Sequence, residues 1–397
     1  VAVCEKAILS QDKRIKGGTM TTEDKVYRQL QRHLDKQAVG FPATRSGADV
    51  RFLKRLFTPD EARLALLLSY RPTPTEDIVR RAAPELPPDA VERLLDGMQL
   101  RGAIGLKAAG DLKRWYIMPL VIGMYEAQDG SPTSDFLADA RDYMRTPGFQ
   151  RAFLAVEPSQ MRTIPVNESI AVEHNVATYD EIRGVLDSCK GPFVILKCIC
   201  REAKAIRQEP CKMTSRLETC LAMGDMAAAV LRRGHGREVS REEALAILEQ
   251  NQAEGLVLQP ANAQKAEFVC SCCGCCCGML NFLKMLPHPV DFWTCNFHAE
   301  VNLEACSGCG TCVTRCQMNA LEIVEPDRKA RVNLSRCIGC GLCVPTCPSD
   351  AVRLEKNEAQ QVPPENEEAL YDEVMANKKG LLGQLGLLVK VGLRMRR

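Results

Sequence analysis

The sequence predicts a multi-domain α+β chain, and three observations carry that expectation. Residues 48–101 show three capped runs of apolar residues at helical spacing, closed by two short strand-like arms. Residues 189–298 mix a buried-strand pattern, helices and twelve cysteines. Residues 306–347 hold one cysteine spacing written twice between short strand-like pieces. At 397 residues the chain has room for two or three domains. The expected division is an extension and helix over 1–47, a helical domain with a hairpin over 48–150, and a cysteine-rich α/β middle domain over 151–296. A repeat domain over 297–357 and an acidic linker with a basic tail over 358–397 complete it.

At the N-terminus, Glu5, Lys6, Asp12 and Lys13 interrupt the apolar stretch, so it does not read as a signal peptide. Met20 reads as a natural start, which makes 1–19 an upstream extension and Cys4 no basis for function. Thr21 or Thr22 caps a helix over 25–36. Further on, Thr58-Pro59-Asp60-Glu61 opens one helix, Pro74-Thr75-Glu76-Asp77 a second and Pro88-Asp89 a third, with Val91, Leu94, Leu95 and Met98 on one face. Two arms, 103–107 and 114–118, flank Ala109-Gly110-Asp111. This order resembles a winged helix-turn-helix domain, which implies a third helix able to enter a major groove. That helix carries Asp89, Glu92, Arg93, Asp96 and Arg101, more acid than base, a poor match for a phosphate backbone. A packing or docking module is the expectation, and nucleic acid is not an expected partner.

Residues 121–190 hold helices over 136–144 and from Thr178 through Leu186. Glu168, Glu173 and His174 are the one polar cluster there, read as a solvated face or loop.

The middle field follows. Phe193-Val194-Ile195-Leu196 is a buried strand feeding Cys198-Ile199-Cys200-Arg201. Cys211 comes next, and Cys220 is expected to open a helix. Ser240-Arg241-Glu242-Glu243 reads as a capping box for a helix through Leu248. Cys270 to Cys277 then place six cysteines in eight residues. Packing alone gives no reason to crowd thiols, since Ala or Val fill space without the reactivity. The two groups can converge on an extra centre drawn from Cys198, Cys200, Cys211, Cys220, Cys270, Cys272, Cys273 and Cys276, with Arg201 offsetting thiolate charge. Three readings stay open: a further iron–sulfur cluster, a zinc site, or unligated, redox-exchanging thiols. The field loosely resembles cysteine-rich segments that precede ferredoxin domains in uncharacterised iron–sulfur proteins of anaerobes, a resemblance that implies no activity. Cys295 and His298 form a C-x2-H pair, read as a satisfied surface pair rather than a metal site. Trp293 and Phe297 are expected to pack the following domain against this one.

Cys306, Cys309, Cys312 and Cys316 read C-x2-C-x2-C-x3-C, and so do Cys337, Cys340, Cys343 and Cys347, which Pro348 follows. Three thiolates spaced this way wrap three irons of a 4Fe–4S cube, and the offset fourth reaches a second cube. Gly308, Gly310, Gly339 and Gly341 let the backbone approach the cluster closely. The runs repeat at an offset of 31 residues: Cys316 matches Cys347, Ala320 matches Ala351 and Ile323 matches Leu354. Zinc takes four ligands from paired C-x2-C units and not two complete runs, and disulfides need an oxidising compartment. The segment resembles the bacterial two-cluster ferredoxin family, which implies a ferredoxin-like βαββαβ fold over about 297–357. The resemblance assigns Cys306, Cys309, Cys312 and Cys347 to one 4Fe–4S cluster, and Cys337, Cys340, Cys343 and Cys316 to the other. Gln317 stands where that family usually has proline.

Residues 356–376 read as an extended or mobile acidic linker, with Glu358, Glu365, Glu367, Glu368, Asp372 and Glu373. Residues 378–397 carry six basic residues and no acid, with an apolar face able to lie on a membrane surface or dock on a partner, although four glycines weaken the helix. A net charge of +2 exerts no general pull toward nucleic acid or membrane. No run of 18 apolar residues exists. An odd count of 21 cysteines argues against a disulfide framework. No G-x-G-x-x-G after a strand points to a dinucleotide. The expectation is a cytoplasmic electron-transfer subunit of an anaerobic oxidoreductase system, with two 4Fe–4S clusters and an optional third centre. Its partner would be a reductase or dehydrogenase, with peripheral membrane contact through the tail. The alternatives are a redox-responsive winged-helix regulator and a reductase with a catalytic cluster in the middle domain.

Overall fold

The computed structural model describes residues 22–380 apart from 129, 131, 167–168 and 170–176, with Gly383 and Gly386 beyond them. Glu168, Glu173, His174, Cys4 and most of the basic tail therefore lie outside the described residues.

The N-terminal unit runs α1 (Thr22–Asp35), α2 (Ala48–Leu56), α3 (Pro59–Ala65), β1 (Thr73–Pro74), α4 (Thr75–Ala82), α5 (Pro88–Leu100), β2 (Gly105–Ala109) and β3 (Leu112–Tyr116). Thr58 caps α3 in a complete capping box, its hydroxyl accepting from Glu61 N–H while the Glu61 carboxylate accepts from Thr58 N–H. The three strands form one antiparallel sheet in the order β1-β3-β2. Leu95 and Met98 of α5, Ile78 of α4 and Trp115 of β3 are fully enclosed. Two further helices, α6 (Ser134–Met144) and α7 (Pro147–Leu154), follow, with α6 packed on α2.

The middle unit adds β4 (Arg162–Thr163), α8 (Ile182–Asp187), β5 (Phe193–Lys197), α9 (Ile199–Ile206), β6 (Glu218–Met223), α10 (Gly224–Arg232), β7 (Arg237–Val239), α11 (Arg241–Ala253), β8 (Val257–Pro260), β9 (Phe268–Cys272) and α12 (Gly278–Lys284). Five of these strands make an antiparallel sheet in the order β7-β5-β6-β9-β8. The β-branched and apolar run Phe193-Val194-Ile195 is buried, as a central strand requires. Cys220 does not open a helix. It sits inside β6 opposite Leu196, because Thr219, Leu221 and Ala222 are needed in the sheet, and α10 begins only after Met223.

The C-terminal lobe contains β10 (Thr294–Cys295), which pairs in parallel with β4, then β11 (Phe297–Val301), α13 (Thr311–Arg315), β12 (Leu321–Val324), β13 (Lys329–Val332) and β14 (Val352–Lys356). β11 pairs with β14 and β12 with β13, both antiparallel. The second helix expected of a βαββαβ order is replaced by two turns, in which Val344 N–H donates to Gly341 C=O and Cys347 N–H to Val344 C=O.

Residues 357–366 are not a mobile linker. Gln264 N–H bonds Pro364 C=O, Lys265 N–H bonds Glu365 C=O, and Asn296 holds Gln361 through both its amide nitrogen and its oxygen. The segment ends in α14 (Glu367–Ala376), capped by Asn366, with Leu370 and Val374 packed on Ala38. Its acidic composition hid a helix whose Leu370 and Val374 face the body, while Met375 is exposed. One apolar core runs from Val26 through Trp115, Ile195 and Leu283 to Leu342, across the expected boundaries at 47, 150 and 296. The lobe keeps a small core of its own around Phe297, Leu321 and Leu354. Trp293 belongs to the large core, where its indole N–H donates to Thr163.

Candidate metal centres

In the lobe, Gly308, Gly310, Gly339 and Gly341 all have left-handed backbones, with φ of 72, 78, 64 and 71°. A Cβ at Gly308 would stand 2.1 Å from Arg328 C=O, and one at Gly339 2.2 Å from Phe297 C=O. Glycine is therefore required at both places by conformation and by space. Four backbone N–H groups reach cysteine sulfurs: Ala330 to Cys306 (3.4 Å), Ala299 to Cys337 (3.3 Å), Ala320 to Cys316 (3.2 Å) and Ala351 to Cys347 (3.3 Å). They form two symmetry-related pairs, since Ala299 and Ala330, and Ala320 and Ala351, each differ by the 31-residue offset of the repeat. Bonds of this kind help set a cluster's potential. The alanines were missed as functional residues because a backbone donor leaves no side-chain signature; the repeat offset was the signal that could have found them.

Burial pushes the Cys312 thiol up, and Cys347, Cys306 and Cys309 push it further. Burial likewise raises Cys343, followed by Cys340, Cys337 and Cys316, with Cys312 last. Cys347 is thus among the neighbours of the first run's Cys312, and Cys316 among those of the second run's Cys343. Buried thiols that are costly to ionise alone suit a metal, which takes the proton's place. Cys309 is the exposed member, 3.4 Å from the Thr311 hydroxyl.

The middle field separates into two sets. Cys198, Cys200, Cys277, Cys272, Cys270 and Cys220 form a closed ring in which each thiol neighbours the next, and Cys220 returns to Cys198. Thiol acidity alternates around it. Cys198, Cys277 and Cys270 are lowered, Cys270 to about 6, by their neighbours Cys200, Cys220 and Cys272, while those three are raised by the same neighbours. The elements explain the convergence. Cys198 ends β5 just past a bulge at Leu196/Lys197, and Cys200 lies in the first turn of α9. Cys270 and Cys272, two apart on β9, share one face, while Ser271 points the other way to Asn251. Cys277 is the N-cap of α12.

The ring, with Cys273 and Cys276, forms one wall of a cavity of about 120 Å³ whose other lining includes Met118, Ile122, Met161, Leu196, Met226, Phe268 and Met279, with Glu126 and Arg233 its charged side chains besides Lys197 and Arg201. Ile122 holds a left-handed backbone (φ 61°), which a β-branched residue rarely adopts. Burial pushes the Glu126 carboxyl up to about 8, against the pull of Gly123 N–H, which donates to it at 2.9 Å.

The second set is Cys211, Cys273, Cys275 and Cys276, whose sulfurs all lie within 4.8 Å of one another. The eight residues expected for an extra centre are therefore divided between the two sets, and Cys275 and Cys277, left out of that expectation, belong with them. Arg201 stands between the sets, 2% exposed. Its guanidinium donates to Thr219 (2.6 Å), to Ser271 C=O (3.0 Å) and to Cys273 (3.6 Å). Against the cost of its burial, Cys198, Cys273 and Cys220 hold it firmly protonated. Gln317 also has a use: its amide oxygen accepts from Gly274 N–H at 2.7 Å, tying the 273–276 turn to the lobe next to Cys316. Cys295 and His298 do not meet at a site; His298 pairs with Asn357 at 2.8 Å, and Cys295 is half-buried, desolvation pushing its thiol up to about 12.

A family model described as a 4Fe-4S dicluster domain matches residues 305–351. No curated protein matches the chain. The lobe is thus a ferredoxin-type iron–sulfur domain, and the chain has the character of an iron–sulfur electron-transfer protein. No described helix is long and apolar enough to cross a membrane.

Proposed function

We propose that the chain is an electron-transfer component of an oxidoreductase system, in which the ferredoxin-type lobe is coupled to a further iron–sulfur centre held by the six-cysteine ring. Cys306, Cys309, Cys312 and Cys347 would hold one 4Fe–4S cluster, and Cys337, Cys340, Cys343 and Cys316 the other. The clusters supply the one-electron chemistry when bound. The protein's own part is to exclude water, aim N–H groups at the sulfurs and balance their charge with Arg201. The observation that carries the reading is the closed sulfur ring beside a domain of established iron–sulfur type. Iron and acid-labile sulfide per chain after anaerobic purification test it. A count well above about eight irons, the sum of two 4Fe–4S clusters, supports the ring centre, and a count of about eight overturns it while leaving the lobe.

A second reading makes the ring a catalytic centre. The apolar cavity against it favours this, together with the strained Ile122 and a Glu126 carboxyl that stays protonated near neutral pH. A small, largely apolar substrate would fit. Turnover by the isolated chain, lost in Cys200→Ser, is the result to seek.

The unit from α3 to β3 has the helix–strand–helix–helix–strand–strand order of a winged helix, and its role here is docking. Asp96 of α5 pairs with Arg232 at 2.6 Å, and Gln99 bonds both Arg232 and Ala229 C=O, so α10 already holds part of the third helix. A redox partner protein, and a membrane surface reached by residues 378–397, belong to the same proposal; liposome co-sedimentation with and without the tail tests the latter.

A further inference from the structure

We propose that Cys211, Cys273, Cys275 and Cys276 form a mononuclear metal site, holding one tetrahedral thiolate-ligated ion, zinc or ferrous iron, apart from every iron–sulfur centre. The first argument is size. Cys273 and Cys275 are 3.5 Å apart, Cys211 is 3.6 Å from each of them, and Cys275 and Cys276 are 3.7 Å apart. A tetrahedral ion with metal–sulfur bonds of about 2.3 Å places its ligands about 3.8 Å from one another. The four sulfurs therefore surround a point, at the distance a single ion requires. A 4Fe–4S cube gives each thiolate its own iron and holds the sulfurs farther apart. The lobe provides the internal comparison: among the described residues, neither of its cysteine sets gathers within 4.8 Å, and neither does the ring.

The second argument is the surroundings. These residues are all free thiols, not joined in disulfides. Leu256 and Met213 pack against the set, and Cys273 and Cys276 are buried there. Met213 N–H lies 3.5 Å from the Cys211 sulfur. Four thiolates around a divalent ion leave two negative charges, and Arg201, buried and 3.6 Å from Cys273, offsets one of them. Gly274 lets the turn between ligands pass close to the lobe: a Cβ there would stand 2.5 Å from Gln317 C=O.

The site has a structural consequence that the ring does not share. Cys211 comes from the loop after α9, 62 residues before Cys273, so one ion staples that loop to the 273–276 turn. Through Gly274 and Gln317 the same turn reaches the residue next to Cys316. Zinc would make the site a strut between middle unit and lobe. Iron would add a one-electron centre at that junction.

The test compares metal and acid-labile sulfide in the anaerobically purified full chain and in Cys211→Ser/Cys275→Ser. A mononuclear tetrathiolate site contains no sulfide. The expected result is loss of one metal ion per chain with no loss of sulfide, while the lobe's visible absorption is retained. The element lost, zinc or iron, identifies the ion. Loss of several irons with their sulfide, or no loss of metal, overturns the proposal. Should the variant fail to fold, cobalt exchange into the unmodified chain decides. One equivalent giving thiolate-to-cobalt charge transfer and tetrahedral ligand-field bands supports the site, and their absence overturns it.

Discussion

In the lobe, eight cysteines come from two runs of identical spacing, and half of them receive a backbone N–H from a symmetry-related alanine. In the middle field, ten cysteines come from four separate stretches, and their nearest polar neighbours are mostly one another. The difference teaches that a thiol site is built in two ways. A local ruler with left-handed glycines folds the chain around its cluster, and sequence spacing is then the geometry. Alternatively a sheet and two helix starts bring distant residues together, and spacing says only that thiols are abundant. The first plan depends on backbone conformation, the second on tertiary packing and on the buried cation between its two sets.

The largest test of this contrast is Cys347→Ser. If the runs interleave, the change removes the cluster wrapped by the first run. Iron then falls by about four per chain, read by metal analysis, although the residue lies in the second run. Loss of the second-run cluster instead would break the symmetry argument. Next comes Gly308→Ala. A left-handed alanine and a Cβ 2.1 Å from Arg328 C=O together cost about 3 kcal/mol or more, seen as a lower denaturation midpoint with faster cluster loss. An equal change at Gly278, where an added Cβ meets nothing within 4 Å, should be mild.

On the field's side, Glu367 of α14 is buried against Glu267, just ahead of β9, and burial followed by Glu267 pushes its carboxyl from 4.5 up to about 8. Below about pH 4.5 folded and unfolded chains both hold that proton. As pH rises further the unfolded chain releases it while the folded chain keeps it to about pH 8, so stability falls across this window. Glu367→Gln removes the fall, with a gain on the order of 2 kcal/mol at pH 8 and little at pH 4, measured by denaturant titration at both values. The smallest effect is expected for Gln317→Ala, which leaves the buried Gly274 N–H without its 2.7 Å acceptor and costs about 1–2 kcal/mol. Both lobe clusters should remain, and the cysteine turn at 273–276 should become more open to thiol alkylation.

Much of the lobe was legible beforehand because its determinants are local. Strands β12 and β13 are among the short strand-like pieces expected within the repeat, and the four glycines took a left-handed backbone. The order of helices and strands from Thr58 to Tyr116 was legible for the same reason, through capping residues and helical spacing. Three features were not. Cys220 was read as a helix start because Leu221, Ala227 and Ala228 suit a helix, yet pairing with β5 and β9 outweighed that propensity. Residues 357–376 read as a solvated linker because acids dominate their composition, while their order comes from bonds to Gln264, Lys265 and Asn296. The second lobe helix failed to form, and turns closed the same ligand spacing without it.

The sequence by itself determined that the chain carries a doubled ferredoxin-type ruler, because ligand spacing, glycines and repeat offset all act over a few residues. It also determined that the middle stretch holds far more thiol than packing needs. Only the tertiary structure decided how those thiols divide into a ring of six and a tetrahedron of four. That division depends on the pairing of β9 with β6, the bulge before Cys198 and the approach of the Cys211 loop. Each is a contact between residues far apart in the chain, and no spacing along the sequence encodes them.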